Sequence, residues 1–179
     1  ANRSNYVSPK VAQHVRNEFG DRVPLILEGG PCKVGIESTV LDLTTEHPRI
    51  LRPGGISREK IEKVLDEPVL ANQLASTIDR AAVSPGQLPV HYAPRAPAFR
   101  FNSSQWQAVQ NWALDHPGSV VFYLGESMPN KPADYARVLY ANLRNADTAG
   151  ATTILIEMPP DEPAWTAVRD RLLLATLPW

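Results

Sequence analysis

Apolar residues along the chain fall into two rhythms, separated by a stretch that has neither. In the first, Val11, Ala12, Val15 and Phe19 lie at helical spacing behind Ser8-Pro9, a capping hydroxyl followed by a proline suited to the first helical position. Gly20 stands where a left-handed stop is expected. Residues 23–27 form a short aliphatic run closed by Glu28-Gly29-Gly30-Pro31, and residues 36–43 form another, so both are strand candidates. Ile50 and Leu51 suggest a third, brief strand that stops at Arg52-Pro53-Gly54-Gly55. Ser57 then caps a helix whose Ile61, Val64 and Leu65 share a face, and this block ends near Asp66.

Residues 67–97 lose periodicity, and Pro85, Gly86, Pro89, Pro94 and Pro97 make regular structure improbable there. The stretch reads as a linker packed across a site or disordered. From residue 98 the second rhythm begins. A strand at 99–101 precedes a helix carrying Trp106, Val109 and Ala113, then a buried strand at 120–124. A helix presenting Tyr135, Val138, Leu139 and Leu143 leads to a strand at 153–158, and a last helix presents Trp165, Val168 and Leu172. Strands alternating with helices predict an α/β block with a small, mainly parallel sheet. The expected units are therefore 1–66, a linker at 67–97, and 98–179.

Composition narrows the classes. The chain has 179 residues, 18 Lys+Arg against 19 Asp+Glu, and one Cys. A chain of this size buries about 70% of its unfolded surface and needs no staple. One Cys forms no internal bridge, and no Cys/His cluster has metal-ligand spacing, so a reducing, cytoplasmic setting is expected. No apolar run approaches the roughly 20 residues of a membrane span, and no signal-peptide pattern opens the chain. Near-neutral charge argues against a broad grip on nucleic acid, leaving room for a local basic patch. The start at Ala1 rather than Met leads us to expect missing upstream sequence.

Candidate chemistry is sparse, and each motif has a bland counterpart. Ser38, in Glu37-Ser38-Thr39-Val40 after a glycine-rich turn, either meets a ligand or faces solvent and cross-strand neighbours. Arg52, at a strand end beside a glycine turn and close before a helix, suits an anion or a surface ion pair. In His91-Tyr92-Ala93-Pro94, Tyr92 contacts a ligand or anchors the linker, and His91 has no identifiable catalytic partner. No nucleophile elbow, Walker loop or zincin helix is present. The four tryptophans read as packing, and Cys32 as incidental.

In series, Ala1-Asn2-Arg3-Ser4, Ser8-Pro9, Gly29-Gly30-Pro31-Cys32, Gly35-Ile36-Glu37-Ser38-Thr39-Val40, Arg52-Pro53-Gly54-Gly55, Ser84-Pro85-Gly86 and His91-Tyr92-Ala93-Pro94 resemble the long, two-domain form of threonylcarbamoyl-AMP synthase. The resemblance is strong over residues 1–97 and looser beyond, where Asp170-Arg171-Leu172 is similar to the ending of that family's C-terminal domain. It implies that residues 1–66 are the C-terminal part of a YrdC-like mixed α/β catalytic domain. Residues 67–97 would be a linker covering the active site, and 98–179 a small Rossmann-like domain.

The implied enzyme condenses L-threonine, bicarbonate and ATP, with Mg2+ on the phosphates, into threonylcarbamoyl-AMP and pyrophosphate. The product serves N6-threonylcarbamoyladenosine formation in tRNA. By this resemblance Ser38 binds L-threonine, Arg52 is catalytic and contacts ATP, and Asn2, Lys10 and Tyr92 complete the ATP contacts. Lys10 departs from the small hydroxyl residue usual in the family, and either reaches a phosphate or is solvated. The family's Lys-x-Arg pair and the Ser of its Ser-x-Asn pair would fall before Ala1, so this stretch alone is expected to be inactive. A downstream threonylcarbamoyl transferase, tRNA and double-stranded RNA are implied partners, and no membrane is. The competing readings are a non-catalytic RNA or nucleotide-binding module that keeps the YrdC-like fold, and a structural interaction domain.

Overall fold

The computed structural model describes residues 6–71 and 92–179; Asn2, Ser84-Pro85-Gly86 and His91 lie outside the described residues. Helix α1 spans Ala12–Phe19 and begins later than the Ser8-Pro9 signal predicts. Its N-cap residue is Val11, and the Lys10 N–H donates to His14 Nδ1 at 3.1 Å. Ser8 is drawn away because its hydroxyl donates to a Glu37 carboxylate oxygen, a charge-assisted bond that a helix cap cannot match. Gly20 ends α1 at φ 53, as its position suggests.

The strand expected at 23–27 does not form: this stretch has no regular structure, with Leu25 74% and Leu27 85% exposed. Pro24 offers no N–H, and no described strand pairs with the run. The strand expected at 36–43 shrinks to β1, Val40–Asp42. It pairs antiparallel with β2, Arg49–Arg52, and β2 pairs parallel with β3, Leu70–Ala71. Strand β3 lies where lost periodicity predicted no element; the backbone of a neighbouring strand, not side-chain pattern, recruits it. Residues 37–39 leave the ladder because they lie flat on the turn: a Cβ at Gly54 would fall 2.3 Å from the Thr39 nitrogen. The Thr39 hydroxyl instead donates to the Ile56 carbonyl (2.7 Å) and accepts from its N–H (3.2 Å). Helix α2, Arg58–Leu65, follows Ser57 as expected and ends at left-handed Asp66, but Val64 is exposed rather than grouped with Ile61 and Leu65.

The second rhythm yields the predicted α/β block. Strands β4 (Ala98–Phe101), β5 (Ser119–Phe122) and β6 (Thr153–Glu157) alternate with α3 (Trp106–Asp115), α4 (Pro132–Thr148) and α5 (Thr166–Ala175). A short β7, Leu177–Pro178, was not foreseen. The sheet order is β5-β6-β4-β7 and every pair is parallel. Alternation along β6 sorts the layers: Ile154 and Ile156 face the core of α4 and α5, while Leu155 faces Phe101 and Val109 on the α3 side. Trp106, Trp112 and Trp165 pack in these cores, as their spacing predicts.

The two blocks share one core. Val7 and Tyr92 are buried with Leu139, Tyr140, Leu143 and Leu172. The Gly35 backbone lies against α4 so closely that a Cβ would stand 2.2 Å from the Ala136 carbonyl oxygen. Arg144 donates to the Val7 carbonyl and pairs with Glu18 at 2.8 Å, and the Asp147 carboxylate accepts the N–H groups of Arg95 and Ala96. Among the described residues no helix is long and apolar enough to cross a membrane.

Candidate functional site

The register of β1 against β2 slips next to Val40: Val40 pairs with Arg52 but Leu41 with Ile50, leaving Leu51 as an extra residue on β2. Such a bulge re-aims the side chain that follows it. Arg52 turns onto the 37–39 segment. Its Nε and NH2 donate to the Ser38 carbonyl at 3.2 and 3.1 Å, and NH2 reaches Ser38 Oγ at 3.4 Å. Its NH1 donates to the Tyr92 hydroxyl at 3.4 Å. Three residues singled out in the sequence, Ser38, Arg52 and Tyr92, thus meet at one place, although 40 positions separate Arg52 from Tyr92.

Tyr92 is buried at φ 61, a conformation rarely adopted by a side chain of this bulk and costing on the order of 1–3 kcal/mol. Its surroundings over-determine it. The ring stacks on Tyr140 with centroids 5.7 Å apart, and the Arg171 guanidinium lies 5.2 Å from the ring centre. Burial, reinforced by the nearby Glu37 charge, pushes the Tyr92 phenol above its ordinary value and keeps it a neutral hydroxyl.

Beneath these residues lies a buried ionic cluster that spacing did not reveal. Glu37 accepts from Ser8 Oγ, from Tyr140 OH at 2.9 Å and from Arg171 Nε at 2.8 Å. Burial raises the Glu37 carboxyl, but the bonds from Ser8 and Arg171, with the Arg171 charge, outweigh it and hold the group below its usual range. Arg171 also donates to the Pro53 carbonyl at 2.9 Å and pairs with Asp170, whose own carboxyl burial pushes up. A sequence signal for Arg171 existed: Val168, Arg171, Leu172 and Ala175 form the buried stripe of α5, so a guanidinium sits where a helix should be apolar.

Lys10 is buried, not solvated. Its ammonium lies 4.6 Å from the Tyr140 ring centre, and burial lowers its pKa against the opposing pull of Glu37. Cys32 is exposed, its N–H bonded to the Lys10 carbonyl at 3.0 Å. Among the described residues no group of His, Cys, Asp and Glu could hold a metal ion. Glu37 and Asp170 are both engaged by Arg171.

Comparison with known proteins agrees with the motif series. A family profile described as "Threonylcarbamoyl-AMP synthase, C-terminal domain" matches residues 56–176, and one described as "Telomere recombination", for Sua5, YciO and YrdC, matches residues 1–54. The chain is 32% identical to the threonylcarbamoyl-AMP synthase of Pyrococcus abyssi over 98% of its own length and 56% of the relative's. For the Bacillus subtilis protein of the same name the figures are 32%, 98% and 55%. It spans about half the length of the curated relatives it matches. Among solved structures, P. abyssi Sua5 complexed with L-threonine superimposes with a TM-score of 0.81 at 28% identity, over 97% of this chain and 55% of that one. The chain belongs to the threonylcarbamoyl-AMP synthase family.

Proposed function

We propose that this chain contributes to a site that condenses L-threonine, bicarbonate and ATP into threonylcarbamoyl-AMP and pyrophosphate, for N6-threonylcarbamoyladenosine modification of tRNA. The observation that carries the reading is the meeting of Ser38, Arg52 and Tyr92, the residues that the motif resemblance ties to L-threonine and ATP. The reaction makes a carbamate from the threonine amine and bicarbonate: the amine nitrogen bonds the carbonate carbon, a C–O bond breaks, and water leaves with the amine proton. A carbamate oxygen then attacks the α-phosphorus, the bond to the β-phosphate breaks, and pyrophosphate leaves with its electron pair. The protein's part in such an adenylyl transfer is positioning and charge neutralisation.

Arg52 suits the second task, because its guanidinium stays charged and forks toward phosphate oxygens. Its bonds to the Ser38 carbonyl and to the Ser38 and Tyr92 hydroxyls are bonds to neutral groups, weaker than those a guanidinium makes to an anionic phosphate. Ser38 offers a hydroxyl to the amino acid, and Tyr92 a buried lid that keeps water from the carbamate and the acyl-adenylate. Lys10, with Asn2 outside the described residues, completes the proposed nucleotide contacts. Magnesium would ride on the phosphates, and no step is assigned to it. A cytoplasmic nucleotidyltransferase handing its product to a threonylcarbamoyl transferase and tRNA fits the same reading, and P. abyssi Sua5 complexed with L-threonine supports threonine as the amino acid.

The test is threonine-dependent pyrophosphate release by protein carrying this chain. Replacing Arg52 by Ala is expected to remove about 2–4 kcal/mol of transition-state stabilisation, or two to three decades of rate. Unchanged turnover contradicts the assignment, and ATP binding without any turnover favours the non-catalytic module.

A further inference from the structure

We propose that Arg171, on α5 of the C-terminal block, is a positioning residue for this site: its guanidinium holds the Glu37-Ser38 segment, the turn after Arg52 and the ring of Tyr92 in one fixed relation. The reaction it would serve rests on the reading above; the geometry does not.

Arg171 is wholly buried. Besides Asp170, its partners are the immediate neighbours of the proposed substrate contacts. Nε bonds Glu37, one peptide from Ser38; NH2 bonds the carbonyl of Pro53, one peptide from Arg52; and the guanidinium carbon lies 5.2 Å from the Tyr92 ring centre. Each anchor therefore leaves little freedom to the group beside it. Only a planar fork with several donors can serve a carboxylate, a carbonyl and an aromatic face together; an ammonium on a flexible stem cannot.

Stability alone does not call for this arrangement. A buried ion pair is often matched or bettered by apolar packing, and the other buried residues of α5, Val168, Leu172 and Ala175, are apolar and belong to the core. What the charged cluster adds is direction. Apolar contacts tolerate sliding, whereas hydrogen bonds of 2.8 and 2.9 Å to Glu37 and Pro53 do not. The C-terminal block thereby becomes a structural member of the site and not an appended module.

The informative variant is Arg171→Lys, which keeps the charge and loses the fork. Tyrosine labelled with 13C at Cζ reports the Tyr92–Tyr140 stack without reference to activity. The expected result is a shifted Tyr92 resonance and a kcat about 10- to 100-fold lower, the usual cost of misplacing reacting groups. KM for ATP should move less than kcat. Arg137→Lys, at a separate contact between the blocks through the Lys33 carbonyl, should leave both readouts unchanged. An unmoved Tyr92 resonance overturns the positioning role, whatever happens to kcat. A moved resonance with normal kcat overturns it too, provided the wild type turns over. If longer wild-type protein that carries this chain together with a Lys-x-Arg pair has no turnover, the reaction reading fails, and the resonance alone decides the positioning role. Should Arg171→Lys fail to fold, Glu37→Gln takes its place: a Tyr92 shift supports the proposal and its absence overturns it.

Discussion

The two blocks solve the burial problem differently. Residues 98–179 enclose a parallel sheet between helices, so that Leu139, Leu143, Ile154, Leu155, Ile156 and Leu172 are inaccessible to solvent. Residues 6–71 have only a small, mixed sheet and leave Leu25, Leu27 and Val64 in solvent. In the N-terminal block, Val7 is buried in the core that contains α4 and α5, Lys10 is buried beside Tyr140 of α4, and the half-buried Glu37 is bonded by Tyr140 and by Arg171 of α5. Among the described residues, 98–179 supply most of the shared core and 6–71 pack onto it. The candidate site lies on the seam between them, where a charged network stands beside that shared core.

The largest effect separating the blocks should come from Leu143→Ala. A cavity in the core that α4 and α5 build is expected to cost about 2–5 kcal/mol, read as a loss of global stability in denaturant titration. A cost below 1 kcal/mol would mean that the core is not the organising element.

The seam should answer to acid. The Glu37 carboxyl is depressed in the fold, so its contribution is fully present above its unfolded value of 4.5 and is lost as pH falls through its lower folded value. Asp170 works in the opposite sense, because its raised pKa favours the fold on protonation. Glu37→Gln isolates the first effect: stability of the variant should vary less with pH below 4.5 than that of the wild type, by hydrogen exchange of the residue 6–71 amides. Equal pH dependence would remove Glu37 from the account.

At the small end, Leu25→Ser should change stability by no more than about 0.5 kcal/mol, since the side chain is 74% exposed. A larger loss would show that residues 23–27 have a partner in the folded protein.

The same contrast decides what could be read from sequence. The helices and strands of 98–179 follow their 3.6- and 2-residue periods because their packing partners lie nearby in the chain. Residues 23–27 carry a strand pattern without a neighbouring strand, and Ser8 carries a cap signal overridden by Glu37. Ser38, Arg52 and Tyr92 were legible as chemistry-bearing residues, yet their meeting depends on a bulge at Leu51 and a strained φ at Tyr92 that no local pattern encodes. Arg171 is legible in sequence only within Asp170-Arg171-Leu172, without a role, because its partners lie 118 and 134 positions away, although its place in the apolar stripe of α5 marks it as anomalous.

The central claim is that Arg52 and Ser38 serve ATP and L-threonine at one place. Isothermal titration of the two ligands into wild type, Arg52→Ala and Ser38→Ala tests it most directly. ATP affinity should fall about 10- to 100-fold in Arg52→Ala, the worth of one charge-assisted contact, and L-threonine affinity should fall in Ser38→Ala. Affinities equal to wild type in both variants would contradict it.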